Sequence, residues 1–213
     1  MIVETEARRP RPLRAQPAGI DRLDRASLPD AFEAACLTRC IRAVSVRQPA
    51  DLLAEFNSAA AAARLAELLS RFGPPPRPER VVAGLRRRYE LHRLHAVEPD
   101  QQALLASGWR QGRSVLLDPS ATGATAPRHA CRQELAAAAW RAALLAAGRH
   151  VRTSVLGVRL ADTELAAVLV RSAHLLGATA TVARRSGCLL VTVPGAEKER
   201  ILRHGVRPVA LAS

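Results

Sequence analysis

Residues 131–149, CRQELAAAAWRAALLAAGR, read as one helix with Trp140 near its middle and Gly148 at its end. Alanine has the highest helix propensity of any residue, and its short side chain lets a second helix come close. Leu135, Ala139, Ala142 and Ala146 fall on one stripe, with Ala136, Trp140 and Leu144 beside it. Arg141 breaks the apolar run, which argues against a membrane span. Such a helix is either an ordinary buried helix or one member of a close helix pair. A weaker counterpart at residues 31–44 favours the pair, because Ala31, Ala34, Ala35 and Thr38 again supply small side chains at close-contact spacing.

Composition bounds what surrounds that pair. The chain has 213 residues, enough for one large domain or two small ones, and is 48% hydrophobic but only 3% aromatic. Its core must therefore be built of Ala, Leu and Val. The formal charge is +13 and the pI about 11.4, a balance that favours a polyanionic partner, most often nucleic acid. Coding bias is the competing source of that charge: of 32 basic residues only Lys198 is a lysine, and arginine, alanine, glycine and proline abound together. The cysteines, Cys36, Cys40, Cys131 and Cys188, form no CxxC pair and read as free thiols. Cys36 and Cys40 share a helix face, but thiols in helices are usually small core residues, so no metal site is expected. The N-terminus lacks the apolar run of a signal peptide, and a cytoplasmic protein is expected.

Residues 1–30 read as a disordered basic tail, with Arg8, Arg9, Arg11, Arg14, Arg22 and Arg25 interspersed with Pro10, Pro12 and Pro17. A helix begins near Ala31, capped by Ser27 or Asp30. Residues 51–56 form a short strand, and Asn57 or Ser58 caps a helix over 59–72 that Gly73 stops. Prolines at 74–76 and 78 make an extended crossing. Residues 80–84 and 87–95 read as strands; the second is so polar that at least one face must meet water or a charged partner. A short helix covers 99–107, and 108–130, rich in Gly, Ser, Thr and Pro, reads as a linker with a short extended segment at 115–117. After the opening helix, 153–160 form a strand and 163–176 a helix capped by Asp162 or Thr163 and stopped by Gly177. A hairpin over 178–193 turns at Arg185, Ser186 and Gly187, a last helix covers 195–205, and 206–213 form a C-terminal tail.

The order of elements repeats: helix, strand, long helix, two strands, short helix. EFNSAAAAARLAELLSRFG (55–73) aligns with RLADTELAAVLVRSAHLLG (159–177), which puts Phe56 on Leu160, Gly73 on Gly177 and Cys40 on Leu144. Residues 31–107 and 131–205 are therefore expected to form two halves of an α+β domain, each an α-β-β-α unit, with the alanine-rich helices paired at the seam.

Cys131, Glu134, AAWR at 138–141 and ALLAAG at 143–148 form the most specific pattern in the chain. With SAAAAARLAELLSRFG (58–73) and DQQALLASG (100–108), that pattern resembles the N-terminal domain of the WhiA family of bacterial transcription regulators, linked to sporulation and cell division. The halves resemble the LAGLIDADG homing-endonuclease fold, whose motif helices pack together while the sheets form a saddle over DNA. The resemblance spans roughly residues 31–205. It implies a duplicated LAGLIDADG-like fold and a DNA-associated role. Two departures qualify it. A nuclease of this kind needs an acid at the end of each motif helix to hold a divalent metal, but those ends here read Val44-Ser45-Val46 and Gly148-Arg149-His150. The WhiA family carries a C-terminal helix-turn-helix, and no helix pair of that kind follows the repeat before Ser213. A protein without catalytic residues, cofactor, metal or small-molecule substrate is therefore expected. Its DNA binding is expected to be weak and largely non-specific, with a partner from the transcription machinery.

Candidate DNA contacts are Arg86, Arg87, Arg88 and Arg93 around the polar strand, and Arg149 and Arg152 where the second motif helix meets its strand. For the cluster at the polar strand the competing reading is a solvated strand edge kept charged against aggregation; Arg149 and Arg152 are candidates because, by the resemblance to the nuclease fold, their place faces DNA. Arg184 and Arg185 read mainly as exposed turn residues. His92 and His95 are three apart on a strand, so they face opposite sides and do not share a metal. Trp140 reads as core, and Asp162 with Glu164 as a helix start. No P-loop, GxGxxG or Ser-His-Asp order is present. The rival to DNA binding is a protein-interaction module whose charge reflects codon usage.

Overall fold

The repeat is clearest at two caps. Ser58 and Asp162 both stand in extended backbone where a strand turns into a helix. The Ser58 hydroxyl accepts the Ala61 N–H at 3.3 Å. One Asp162 carboxylate oxygen accepts the N–H groups of Glu164 at 2.8 Å and Leu165 at 3.0 Å. Each cap satisfies first-turn donors that have no partner within the helix. The computed structural model describes residues 23–41, 49–84, 88–118, 125–152 and 154–205.

The first half holds α1 (Leu28–Arg39), β1 (Leu52–Phe56), α2 (Ala59–Leu69), β2 (Arg77–Ala83), β3 (Tyr89–His95) and α3 (Asp100–Leu117). The second holds α4 (Ala126–Ala146), β4 (Gly148–Val151), β5 (Val155–Leu160), α5 (Thr163–Leu175), β6 (Thr181–Arg185), β7 (Cys188–Pro194) and α6 (Lys198–Gly205). Both sheets are antiparallel, in the orders β1-β3-β2 and β4-β5-β7-β6. Leaving β4 aside, the two orders are the same under the repeat. The architecture is α+β, duplicated as the sequence order implied.

The seam pair, α1 and α4, lies at the centre of one core. Ala31, Ala34 and Cys36 on α1 and Ala136, Ala138, Ala139, Ala142 and Ala143 on α4 are fully excluded from water, as are Phe32, Leu37 and Trp140. Trp140 is a core residue whose indole N–H donates to the Leu169 carbonyl at 3.1 Å, so its one polar atom is satisfied. One buried acid also crosses the seam. Glu33 on α1 accepts Nε of Arg64 on α2 at 2.7 Å, and both Nε (2.9 Å) and Nη2 (2.7 Å) of Arg141 on α4. The arginine that breaks the apolar run of α4 therefore neutralises a carboxylate from the other half.

Four features differ from the sequence expectations. First, α3 is much longer than residues 99–107; it continues to Leu117, so 108–117 is helix rather than linker, and the segment at 115–117 is its last turn. Gly108 and Gly112 are contact points within it. A Cβ on Gly108 would lie 2.7 Å from the Ala31 carbonyl oxygen, and one on Gly112 would enter the Phe32 ring. Trp109 stacks on Phe32 at 5.8 Å between centroids. Second, α4 begins at Ala126, before the expected start. Third, β4 follows α4 at once, so Gly148 opens a strand. Fourth, α1 starts at Leu28. Ser27 precedes it without capping it through its side chain, and Asp30 lies in its first turn. Gly177 has φ +76, the left-handed geometry of a helix stop. Gly73 has no such φ, and α2 ends earlier, at Leu69; its C-cap Ser70 donates its hydroxyl to the Glu67 carbonyl at 2.7 Å.

Candidate nucleic-acid interface

Each sheet has one face against the helices and one open face. On β5, Leu156, Val158 and Leu160 point into the core, and their partners on β7 are Val193, Val191 and Leu189. Alternation therefore sends Val155, Gly157 and Arg159 to the open side, with Cys188, Leu190 and Thr192 from β7 and Thr181, Ala183 and Arg185 from β6. In the first sheet, Ala54, Phe56 and Leu94 face the helices. The open face there carries Glu55, Arg93 and Glu79 in register, flanked by Arg77 and His95.

The two open faces differ in charge. On the first, the groups neutralise one another. Arg93 Nε donates to Glu55 at 2.6 Å, and its Nη1 lies 3.8 Å from Glu79. The Glu55 carboxylate holds that guanidinium above its usual pKa range. His95, which is buried, places Nε2 2.9 Å from Glu79 and Nδ1 3.2 Å from Asp51, and Asp51 also meets Arg77 at 3.3 Å. His92 pairs with Phe56 on the other face, so the two histidines diverge. On the second open face, Arg159 and Arg185 are exposed and have no carboxylate within 4.0 Å among the described residues.

The candidate contacts distribute unevenly. Arg86 and Arg87 lie outside the described residues. Arg88 is exposed immediately before β3. Arg93 is held by two carboxylates, so it does not present a free cation. Arg149 is exposed on β4 but pairs with Val158, which puts it on the opposite side of the sheet from Arg159. Arg152 is exposed in the tight β4–β5 turn, where its N–H donates to the Val155 carbonyl at 2.8 Å. Arg184 and Arg185 belong to β6 and are exposed on opposite faces. Arg159 was not among the candidates. Its signal was the alternation of VLGVRL, which alone sends it outward.

A cleft of 740 Å³ lies where the ends of α1 and α4 meet both sheets. The first half contributes Cys40, Glu55, Asn57, Ser58, Tyr89 and Leu91; the second contributes Leu145, Arg159, Ser186 and Cys188, among others. Glu55 and Arg159 occupy equivalent positions in the repeat. A pair of metal-bound carboxylates does not fit this chemistry. Among the described residues the only carboxylate lining the cleft, Glu55, is already bound by Arg93, and its counterpart is an arginine, which would repel a divalent cation. Burial pushes the Cys36 and Cys40 thiols up, away from the thiolate form a metal would need. Among the described residues no cluster of three His, Cys, Asp or Glu side chains forms, and no helix is long and apolar enough to cross a membrane.

No protein family and no curated protein matches the sequence. Solved structures do. The N-terminal LAGLIDADG domain of DUF199/WhiA superposes with a TM-score of 0.59 at 12% identity, over 87% of this chain and 85% of that one. Full-length DUF199/WhiA from Thermatoga maritima gives 0.57 at 14% identity over 85% of this chain, which spans 57% of that longer protein. The homing endonuclease I-DmoI, in complex with DNA and Mn, gives 0.50 at 12% identity, over 83% and 96% of the two chains. The chain therefore has the LAGLIDADG-like α+β fold, of the kind found in the N-terminal domain of WhiA.

Proposed function

We propose that the protein is a catalytically inactive, DNA-associated regulator or accessory factor of transcription, of the WhiA kind linked to sporulation and cell division. In this reading it acts in the cytoplasm. It docks on DNA phosphates through basic side chains of the second half and the Arg86–Arg88 cluster, while another face meets a protein of the transcription machinery. The carrying observation is the second sheet's open face, where Arg159 and Arg185 have no carboxylate within 4.0 Å among the described residues, in a fold for which I-DmoI has been solved in complex with DNA. Charge supports it: residues 126–205 hold twelve basic and five acidic residues, against fourteen and eleven in 23–118. In the sequence, neither 44–46 nor 148–150, read as the ends of the two motif helices, holds a carboxylate, which supports a reading without nuclease activity. Binding through phosphates carries no sequence information, so it is weak, salt-sensitive and largely non-specific.

The second reading is a protein-interaction module with no DNA binding of its own. The self-neutralised first sheet favours it, because that face offers polyanions little. Fluorescence anisotropy on a labelled duplex over a salt series decides between them. The DNA reading expects affinity to fall steeply with salt, and a shallower slope for Arg86→Ala/Arg87→Ala/Arg88→Ala. No binding at low salt leaves the interaction module. A plasmid-nicking assay with Mg²⁺ is expected to show no cleavage, and cleavage that survives purification controls would restore the nuclease.

A further inference from the structure

We propose that the seam cleft is a phosphate-binding site built on Arg159; the proposal rests on the DNA reading only for one of its two ligand sources. Three observations meet there. The cleft is large enough for a nucleotide-sized group, at 740 Å³. Its charge is one-sided: Glu55 is bound by Arg93 at 2.6 Å, whereas Arg159 at the equivalent position of the other half has no carboxylate within 4.0 Å among the described residues. Its remaining polar lining is of the donor type an anion needs. The Ser58 hydroxyl accepts the Ala61 N–H and keeps its own proton to donate, and Asn57 and Ser186 add an amide and a hydroxyl. An arginine fork with hydroxyl and amide donors matches the tetrahedral oxygens of a phosphate.

Tyr89 narrows the ligand class. Tyr89 lines the same cleft and is 51% exposed, an aromatic side chain that stacks on no other ring among the described residues. A phosphate on Arg159 with a sugar or base against Tyr89 describes a nucleotide unit. That unit comes either from a docked nucleic-acid strand or from a free nucleotide. Here an arginine binds the phosphate without supplying a nucleophile, so the strand is held and not cut.

The test uses the whole chain and the Arg159→Gln variant. Arg159 is exposed with no ion pair among the described residues, so the variant should fold with an unchanged Tm, and circular dichroism checks this. Duplex binding is measured by anisotropy over a salt series, and AMP and inorganic phosphate binding by calorimetry. If the source is a strand, Arg159→Gln weakens duplex binding about tenfold and lowers the salt slope by about one unit. If the source is a free nucleotide, AMP binds the native chain and not the variant. Either result supports the site. Duplex binding that is identical in both proteins, with no AMP or phosphate binding, overturns the site while leaving the DNA reading intact. AMP binding lost in the variant, with no duplex binding by the native chain, keeps the site and removes the DNA reading.

Discussion

The two sheets share a topology and differ in what they show to the outside. In the first, each basic group on the open face has an acid within reach: Arg93 has Glu55 and Glu79, Arg77 has Asp51, and His95 has Glu79 and Asp51. In the second, the residues in register with Arg159 and Arg185 are Gly148, Leu190 and Cys188, none of them acidic. Duplication has therefore preserved the backbone while the two surfaces diverged. One face is an ion-pair lattice that binds itself, and the other is a basic surface available to a partner. Net charge alone does not reveal this, because a paired arginine and a free one count equally in the total.

The comparison requires the halves to be locked together, and Glu33 is the most severe place to break it. Its carboxylate is 2% exposed and bridges Arg64 and Arg141. Glu33→Ala leaves two guanidinium groups facing an empty buried position, and urea unfolding is expected to show a loss of about 3–5 kcal/mol. A loss below about 1 kcal/mol would mean the triad does not hold the seam. Gly112→Ala comes next. Its methyl would enter the Phe32 ring, so destabilisation of about 1–3 kcal/mol is expected from overpacking, despite alanine's better helix propensity.

The caps sharpen the comparison between halves. Asp162 binds two helix N–H groups and also Arg39, which lies over the Trp109 ring at 3.9 Å. Ser58 binds one N–H. Asp162→Ala is therefore expected to cost about 1–2 kcal/mol and Ser58→Ala about 0.5–1 kcal/mol in thermal unfolding. Equal costs would show that the Arg39 contact adds nothing. A smaller effect concerns binding. Glu55→Gln/Glu79→Gln releases Arg93 from its carboxylates, and the salt slope of duplex binding is expected to rise by about one unit as the first sheet gains a free cation. An unchanged slope would mean that this face does not approach DNA even when charged.

Much of this architecture was legible because it rests on local chemistry. Ser58 and Asp162 announce helix starts through their hydroxyl and carboxylate, and VLGVRL announces a half-buried strand by alternation. The extent of α3 was hidden because GWRQG reads as a turn until the helix facing it is known. Gly108 and Gly112 are there to admit Ala31 and Phe32, a reason that lies nearly eighty residues away in the chain. Four residues, GRHV, with a single apolar strand former at the end, carry too little pattern to mark β4. The candidate interface was read only in part for the same reason. The neutralisation of Arg93 depends on cross-strand register with Glu55 and Glu79, which no local pattern specifies, whereas Arg159 was available from the alternation of its own strand.

Backbone hydrogen exchange with and without a DNA duplex tests the difference between the sheets most directly. The account predicts that DNA slows exchange in residues 148–160 and 181–194 and around 88–89, next to the Arg86–Arg88 cluster, and leaves 77–82 and 91–95 unchanged. Equal protection of both sheets, or protection of the first alone, would contradict it.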